Sequence, residues 1–280
     1  MSELITDIKA LQQETLLNLQ NSKANNTVRA YKSDFDDFGL FCAQNGFKSL
    51  PSDPKVVSLY LTYLSTKDVK MSTLKRRLVS IGVIHKLKGH YLDTKHPSII
   101  ENMMGIKRRK GSIQKGKKPL LINNLRILIN VIDKEKNEEI KKIRDRSIIL
   151  IGFSGGFRRK EIVSLDYDDL EFIQEGLKIS LKRSKTDQFG EGSVKGLPYF
   201  ENSQYCPVIS IKKWIEISKI SSGAIFRRFN KGSKLSENRL TDQSVALLIK
   251  DYLKLAGIES RNYSGHSLRS GFATSAAESG

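Results

Sequence analysis

Seven lysines and arginines and no carboxylate stand between Lys107 and Lys118, in a stretch that also holds two glycines and runs into Pro119. Cations at that density cannot enter a core, because a buried charge without a partner is strongly unfavourable. Residues 107–119 therefore read as an extended, solvated connector between two folding units, 1–106 and 120–280. A plain linker satisfies that reading. A strap lying along nucleic acid satisfies it better, because phosphates relieve the mutual repulsion and release their counterions in doing so. The whole chain leans the same way, with 48 Lys plus Arg against 30 Asp plus Glu and a net charge of +18. Such an excess favours a polyanionic partner, double-stranded DNA above all.

The 1–106 unit repeats its apolar residues at helical spacing. Val28, Tyr31, Phe35, Phe38 and Cys42 form one stripe and predict a helix over about 26–44, with Thr27 and Arg29 at its exposed start. A second helix is expected over 56–64. A third is expected to start at Ser72, capped by the serine hydroxyl, so that Thr73, Lys75, Arg76 and Arg77 crowd its first turns, where a phosphate finds hydroxyl, cation and helix terminus together. Beyond Pro119 the pattern is mixed. Helices are expected over 123–132, 138–151, 159–165, 207–217 and 241–256, the last capped by Thr241 and ended by Gly257. Between them, 177–182 alternates like a half-buried strand, 187–192 reads as a turn, and 193–199 returns antiparallel. The expected class is α+β, mostly α, with a small antiparallel sheet in the second unit.

Several function classes drop out. Cys42 and Cys206 are too few and too distant for a disulfide scaffold or a zinc site. No long apolar run suits a membrane, and the N-terminus lacks a secretory signature, so a cytoplasmic, nucleoid-associated protein is expected. The glycines from Gly152 to Gly156 lack the Lys-Ser/Thr of a phosphate loop.

Chemistry-bearing residues gather instead at three places. His266 and Arg269 stand three apart, on one helix face if that segment is helical. Arg158 and Arg159 open a short helix, with Glu161 one turn on, and Lys185 lies in the hairpin. Cutting a phosphodiester without metal requires fixed positive charge, because the transition state gathers negative charge on its non-bridging oxygens. Guanidiniums supply it as forked donors that keep their charge. Arg158 and Arg269 are the expected clamp; Arg159 falls on the helix flank. His266 is expected to donate a hydrogen bond or manage a proton, Lys185 to protonate the leaving oxygen, and Glu161 to orient a guanidinium. The rival enzyme class is a metal-dependent nuclease built on Asp166, Asp168 and Asp169; a polar turn is the plainer reading of those three.

The motifs Gly-Phe-Arg158-Arg-Lys-Glu161-Ile, Arg-Ser-Lys185-Thr and Gly265-His266-Ser-Leu-Arg269-Ser-Gly, in that order, resemble the signatures of the tyrosine recombinases, or phage integrases. The helices around Thr27 and Thr73 are similar to that family's SAM-like core-binding domain. The resemblance implies a clamp around DNA, with Lys107, Arg108, Arg109, Lys110, Lys115, Lys117 and Lys118 passing along it. It also implies strand exchange through a 3'-phosphotyrosyl intermediate in a synaptic tetramer, with no metal and no cofactor. Arg158, Lys185, His266 and Arg269 match the catalytic positions and Glu161 a supporting one. The family's later His or Trp and its nucleophilic tyrosine have no match. All nine tyrosines precede His266, and Tyr263, separated from His266 by two residues, is rejected as nucleophile because the family's tyrosine sits on a separate, later helix. Strand cleavage by these 280 residues is therefore expected to fail and tetramers to be impaired. Two explanations stand: a piece of a longer recombinase, or a recombinase-derived protein that only binds DNA.

Overall fold

The computed structural model describes residue 11 and residues 25–111, 116–136, 138–182, 192–200 and 203–278. The chain divides into two compact units, Met1–Gln114 and Lys115–Gly280.

Among the described residues the first unit packs four helices of more than one residue: α1 (Asn25–Gln44), α2 (Pro54–Thr66), α3 (Met71–Leu87) and α4 (Pro97–Lys110). Their apolar faces meet in a core of Phe38, Tyr60, Leu61, Leu74, Ile81, Ile99 and Ile106. Each such side chain withdrawn from water contributes about 1.5–3 kcal/mol. Proline opens both α2 and α4, where its missing N–H costs nothing. Asp53 caps α2 through Lys55 N–H at 2.7 Å.

Two local expectations change. Met71 begins α3 and Lys70 is its N-cap without a side-chain bond, so Ser72 lies inside the helix and caps nothing. Lys107, Arg108, Arg109 and Lys110 are not extended connector; they form the last turn of α4. That end of a helix carries the negative pole of the backbone dipole and favours cations. Buried Ile106 holds the turn against the core, and Lys110 Nζ reaches Asp68 Oδ1 at 3.2 Å. The helix stops at Gly111, whose φ of +72° is left-handed.

The second unit runs α5 (Ile122–Lys134), α6 (Glu139–Ser154), α7 (Arg159–Ser164), β1 (Leu170–Ile173), β2 (Gly176–Leu181), β3 (Ser193–Pro198), α8 (Pro207–Ser218), β4 (Arg227–Phe229), β5 (Leu235–Arg239), α9 (Asp242–Leu255) and α10 (Ser267–Glu278). The class is the expected one, mostly helical with small antiparallel sheets. β1, β2 and β3 form one sheet in that order, and β4 and β5 pair separately. In the β2–β3 register Ile179 faces Lys195 and Leu177 faces Leu197. The expected turn over 187–192 lies outside the described residues except for Gly192. Thr241 caps α9 by accepting from Ser244 N–H at 3.1 Å.

α6 lies at the centre of the unit's core, buried continuously from Ser147 to Phe153. Trp214 of α8 is fully buried, and its indole N–H donates to the Ile225 carbonyl at 2.9 Å, so the indole's own donor is satisfied. The segment entering the unit is stitched to the start of α10. Lys118 N–H bonds the Asn262 carbonyl at 2.8 Å, Leu120 N–H bonds the Ser267 carbonyl at 2.9 Å, and Lys117 Nζ holds the Arg261 carbonyl. Gly271 makes this approach possible: a β-carbon there would stand 1.9 Å from the Leu120 carbonyl oxygen.

Candidate active site

The loop from α6 to α7 is a tight turn, Gly155–Gly156–Phe157, and the site forms around it. Gly156 takes φ +53°, and a β-carbon on it would meet the Phe272 ring at 2.9 Å. A side chain here would strain the backbone and push α10 away.

Arg158 follows as the N-cap of α7. Glu161, only 4% exposed, accepts its backbone N–H at 2.8 Å and its Nη1 at 2.6 Å. One carboxylate thus caps the helix and fixes the guanidinium. Arg269, half-buried on the first turn of α10, donates Nη1 to the Gly156 carbonyl at 2.9 Å. Two guanidiniums from segments distant in sequence are thereby held on one turn. Arg159 goes elsewhere: it packs over Gly265 and reaches the Asp242 carbonyl at 3.4 Å.

A residue that sequence reasoning passed over joins them. Lys195 of β3 donates Nζ to the Gly155 carbonyl and lies 4.6 Å from the centre of the Phe157 ring. Burial pulls its amine below the ordinary lysine value; Glu161 opposes the shift, while Arg269 and Arg158 add to it. The signal was present in the alternation of the hairpin. Lys195 sits opposite buried Ile179 and two residues before buried Leu197, on the inward face.

His266 is exposed and precedes α10 instead of sharing its face with Arg269. Its carbonyl accepts Ser270 N–H at 3.0 Å, and its imidazole makes no hydrogen bond among the described residues. Lys185 and Lys115 lie outside the described residues. Tyr263 is buried, and its hydroxyl accepts from Asn124 Nδ2 at 2.9 Å.

The aspartates after α7 form a polar turn. Asp166 Oδ1 pairs with Arg239 at 2.6 Å and Asp169 Oδ1 with Lys182 at 2.8 Å. Among the described residues no three His, Cys, Asp or Glu side chains gather as a metal site.

In the first unit, Arg29, Lys75, Lys107, Arg108 and Arg109 are exposed and Thr27 and Thr73 half-buried. Arg76 is tied to buried Asp34 at 2.6 Å. Arg77 is a different case from the open phosphate ligand expected. Its side chain is inserted between Asp37 and the Tyr60 hydroxyl with Asp34 alongside, so its charge is spent inside the helical bundle. Lys117 and Lys118 are exposed beside the segment leading to α10.

The sequence profile of the phage integrase family matches residues 120–280, more than half the chain, and that of the family's N-terminal SAM-like domain matches 14–88. The chain belongs to the phage integrase family of tyrosine recombinases. It is 38% identical over 263 residues to an integrase/recombinase XerD homolog of Selenomonas ruminantium, covering 93% of this chain and 76% of that protein. The fold of this recombinase is also that of the Tn1549 transposon integrase in complex with transposon right end DNA, with a TM-score of 0.62 at 15% identity over 95% of this chain and 85% of the other. The XerH site-specific recombinase bound to its palindromic difH substrate aligns with a TM-score of 0.53 at 19% identity over 81% of this chain, which spans 60% of that one. Among the described residues no helix is long and apolar enough to cross a membrane.

Proposed function

We propose that this recombinase binds duplex DNA at a specific site and cuts and rejoins it through a 3'-phosphotyrosyl bond, in a synaptic assembly of several copies. The observation that carries the reading is the pair of guanidiniums, Arg158 and Arg269, fixed on the Gly155–Phe157 turn. A phosphate seated there receives two forked donors, and the charge that develops on its non-bridging oxygens meets groups already oriented. Glu161 keeps Arg158 in place before DNA arrives. His266, exposed at the start of α10, is free to turn its ring toward the same phosphate, and Lys185 is assigned to the leaving oxygen. Tyr263, the tyrosine nearest the motif, is buried with its hydroxyl accepting from Asn124 Nδ2, and it is not assigned as the attacking phenol. The covalent bond conserves the energy of the broken phosphodiester, so the exchange needs no nucleotide. Thr27, Arg29, Lys75 and the cations of 107–118 hold the backbone and set position without reading bases.

The test joins the chain in frame to a family C-terminal segment that carries the tyrosine and follows a nicked duplex by denaturing gel. A protein–DNA adduct that forms in the presence of chelator and is lost in Arg158→Ala and Arg269→Ala supports the reading. Salt-sensitive duplex binding without adduct assigns the protein to DNA binding alone. An adduct that requires a divalent ion overturns the mechanism.

A further inference from the structure

The β3 lysine raises a separate question, because a cation that is merely structural has no reason to sit among two arginines. Its surroundings are mixed. Glu161 is attractive, yet Arg158 and Arg269 are close enough to act on it electrostatically, and burial works against its charge. The pocket therefore concentrates three cations around one carboxylate whose two oxygens are already committed to Arg158. Such a cluster has an unmet demand for negative charge.

The hydrogen-bond count points the same way. An ammonium has three donors, and Lys195 spends one on the Gly155 carbonyl. Arg269 spends Nη1 on the next carbonyl, Gly156. Each cation is anchored by one arm to the turn and keeps other donors for a ligand. Phe157, fully buried and beneath the Lys195 ammonium, stops the side chain from sinking further toward the core.

We infer that Lys195 is a third phosphate-contacting cation of this pocket, binding the same DNA phosphate as Arg158 and Arg269. The inference rests on the recombinase reading above, and it concerns the limb of the hairpin beyond Lys185. By bridging β3 to the Gly155 carbonyl, Lys195 also couples the position of the sheet to the turn that carries Arg158.

Two measurements on the full chain decide it. The first is the salt dependence of duplex affinity for the unaltered protein, Lys195→Met and Lys195→Arg. Each phosphate contact contributes about 0.9 to the slope of log K against log salt concentration. Lys195→Met is expected to lower the slope by about one contact, with Lys195→Arg restoring it. An unchanged slope in a folded Lys195→Met protein overturns the inference.

The second uses reductively 13C-methylated protein, with the Lys195 resonance identified by its loss in Lys195→Arg, and so does not depend on Lys195→Met folding. Saturating duplex is expected to shift that resonance and raise its titration midpoint, whereas the Lys178 resonance, on the far side of the hairpin, stays put. A Lys195 resonance indifferent to duplex refutes the contact while leaving the recombinase reading intact. Absence of any salt-sensitive duplex binding overturns both.

Discussion

Replacing Glu161 by glutamine isolates what one buried carboxylate does for the site. Glu161 is 4% exposed and serves two donors of the same residue, the Arg158 backbone N–H and Nη1, at 2.8 and 2.6 Å. Glutamine offers one acceptor where there were two. If its oxygen keeps the helix cap, its amide nitrogen faces the guanidinium, donor against donor. A hydrogen bond to a charged group contributes about 1.5–3 kcal/mol, and an unsatisfied buried donor costs about 1–3 kcal/mol. The Arg158 side chain is 20% exposed, so water makes up part of the loss. A net destabilisation of about 2–3 kcal/mol is expected. At about 2–4 °C per kcal/mol for a unit of this size, the melting temperature falls by about 4–12 °C. Circular dichroism melts at neutral pH and moderate salt measure it, with the transition of the 120–280 unit identified by near-ultraviolet signal from Trp214. A melting temperature unchanged within a degree or so would refute the claim that Glu161 holds Arg158.

Three further outcomes are expected. Glycine to alanine in a helix ordinarily gains up to about 1 kcal/mol, but Gly271→Ala is expected to reverse the sign and cost more than about 2 kcal/mol in urea titrations, because its methyl would fall 1.9 Å from the Leu120 carbonyl oxygen. Arg77→Met is expected to destabilise the helical unit by about 2–4 kcal/mol while leaving the salt slope of duplex binding unchanged; Lys75→Ala does the opposite, with stability constant within about 0.5 kcal/mol and the slope reduced by about one contact. His85 is buried, accepts Ser52 N–H at Nε2 at 3.0 Å, and is held neutral by burial, which lowers its pKa from 6.5. Its folded pKa lies below the unfolded one, so the stability it confers is complete above the unfolded pKa and declines as the pH falls below it, levelling off beneath the folded value. Urea midpoints of the helical unit between about pH 5 and 7.5 should show this decline, and His85→Asn should remove it.

The fold was legible where period and punctuation agree. The helix over Asn25–Gln44 follows from its apolar stripe, and α9 from Thr241 at one end and Gly257 at the other. β1, β4 and β5 escaped because they are short, between three and five residues, and partly exposed, so no alternation accumulates. At the site, the arginines could be named from the sequence, yet their geometry could not. Whether Arg158 or Arg159 turns inward depends on Glu161 capping α7 and on Gly265 making room for Arg159, both matters of packing. The basic residues show the limit from the other side. Lys75 and Arg77 are two apart on one helix, and only the aspartates of α1 distinguish an exposed cation from one taken up by the core. Lys107 to Lys110 read as connector on charge alone, whereas Ile106 and the helix dipole carry α4 through them.

The ladder between 117–120 and 261–267 has a mechanical consequence. Three bonds tie the entering chain to the residues just before Arg269, and Gly271 presses Leu120 against the same helix. A tug on the entering chain at 117–120 therefore bears directly on the first turn of α10. The segment acts as a tendon inserted beside the arginine, so that a displacement of 117–120 and the placement of a guanidinium become a single movement.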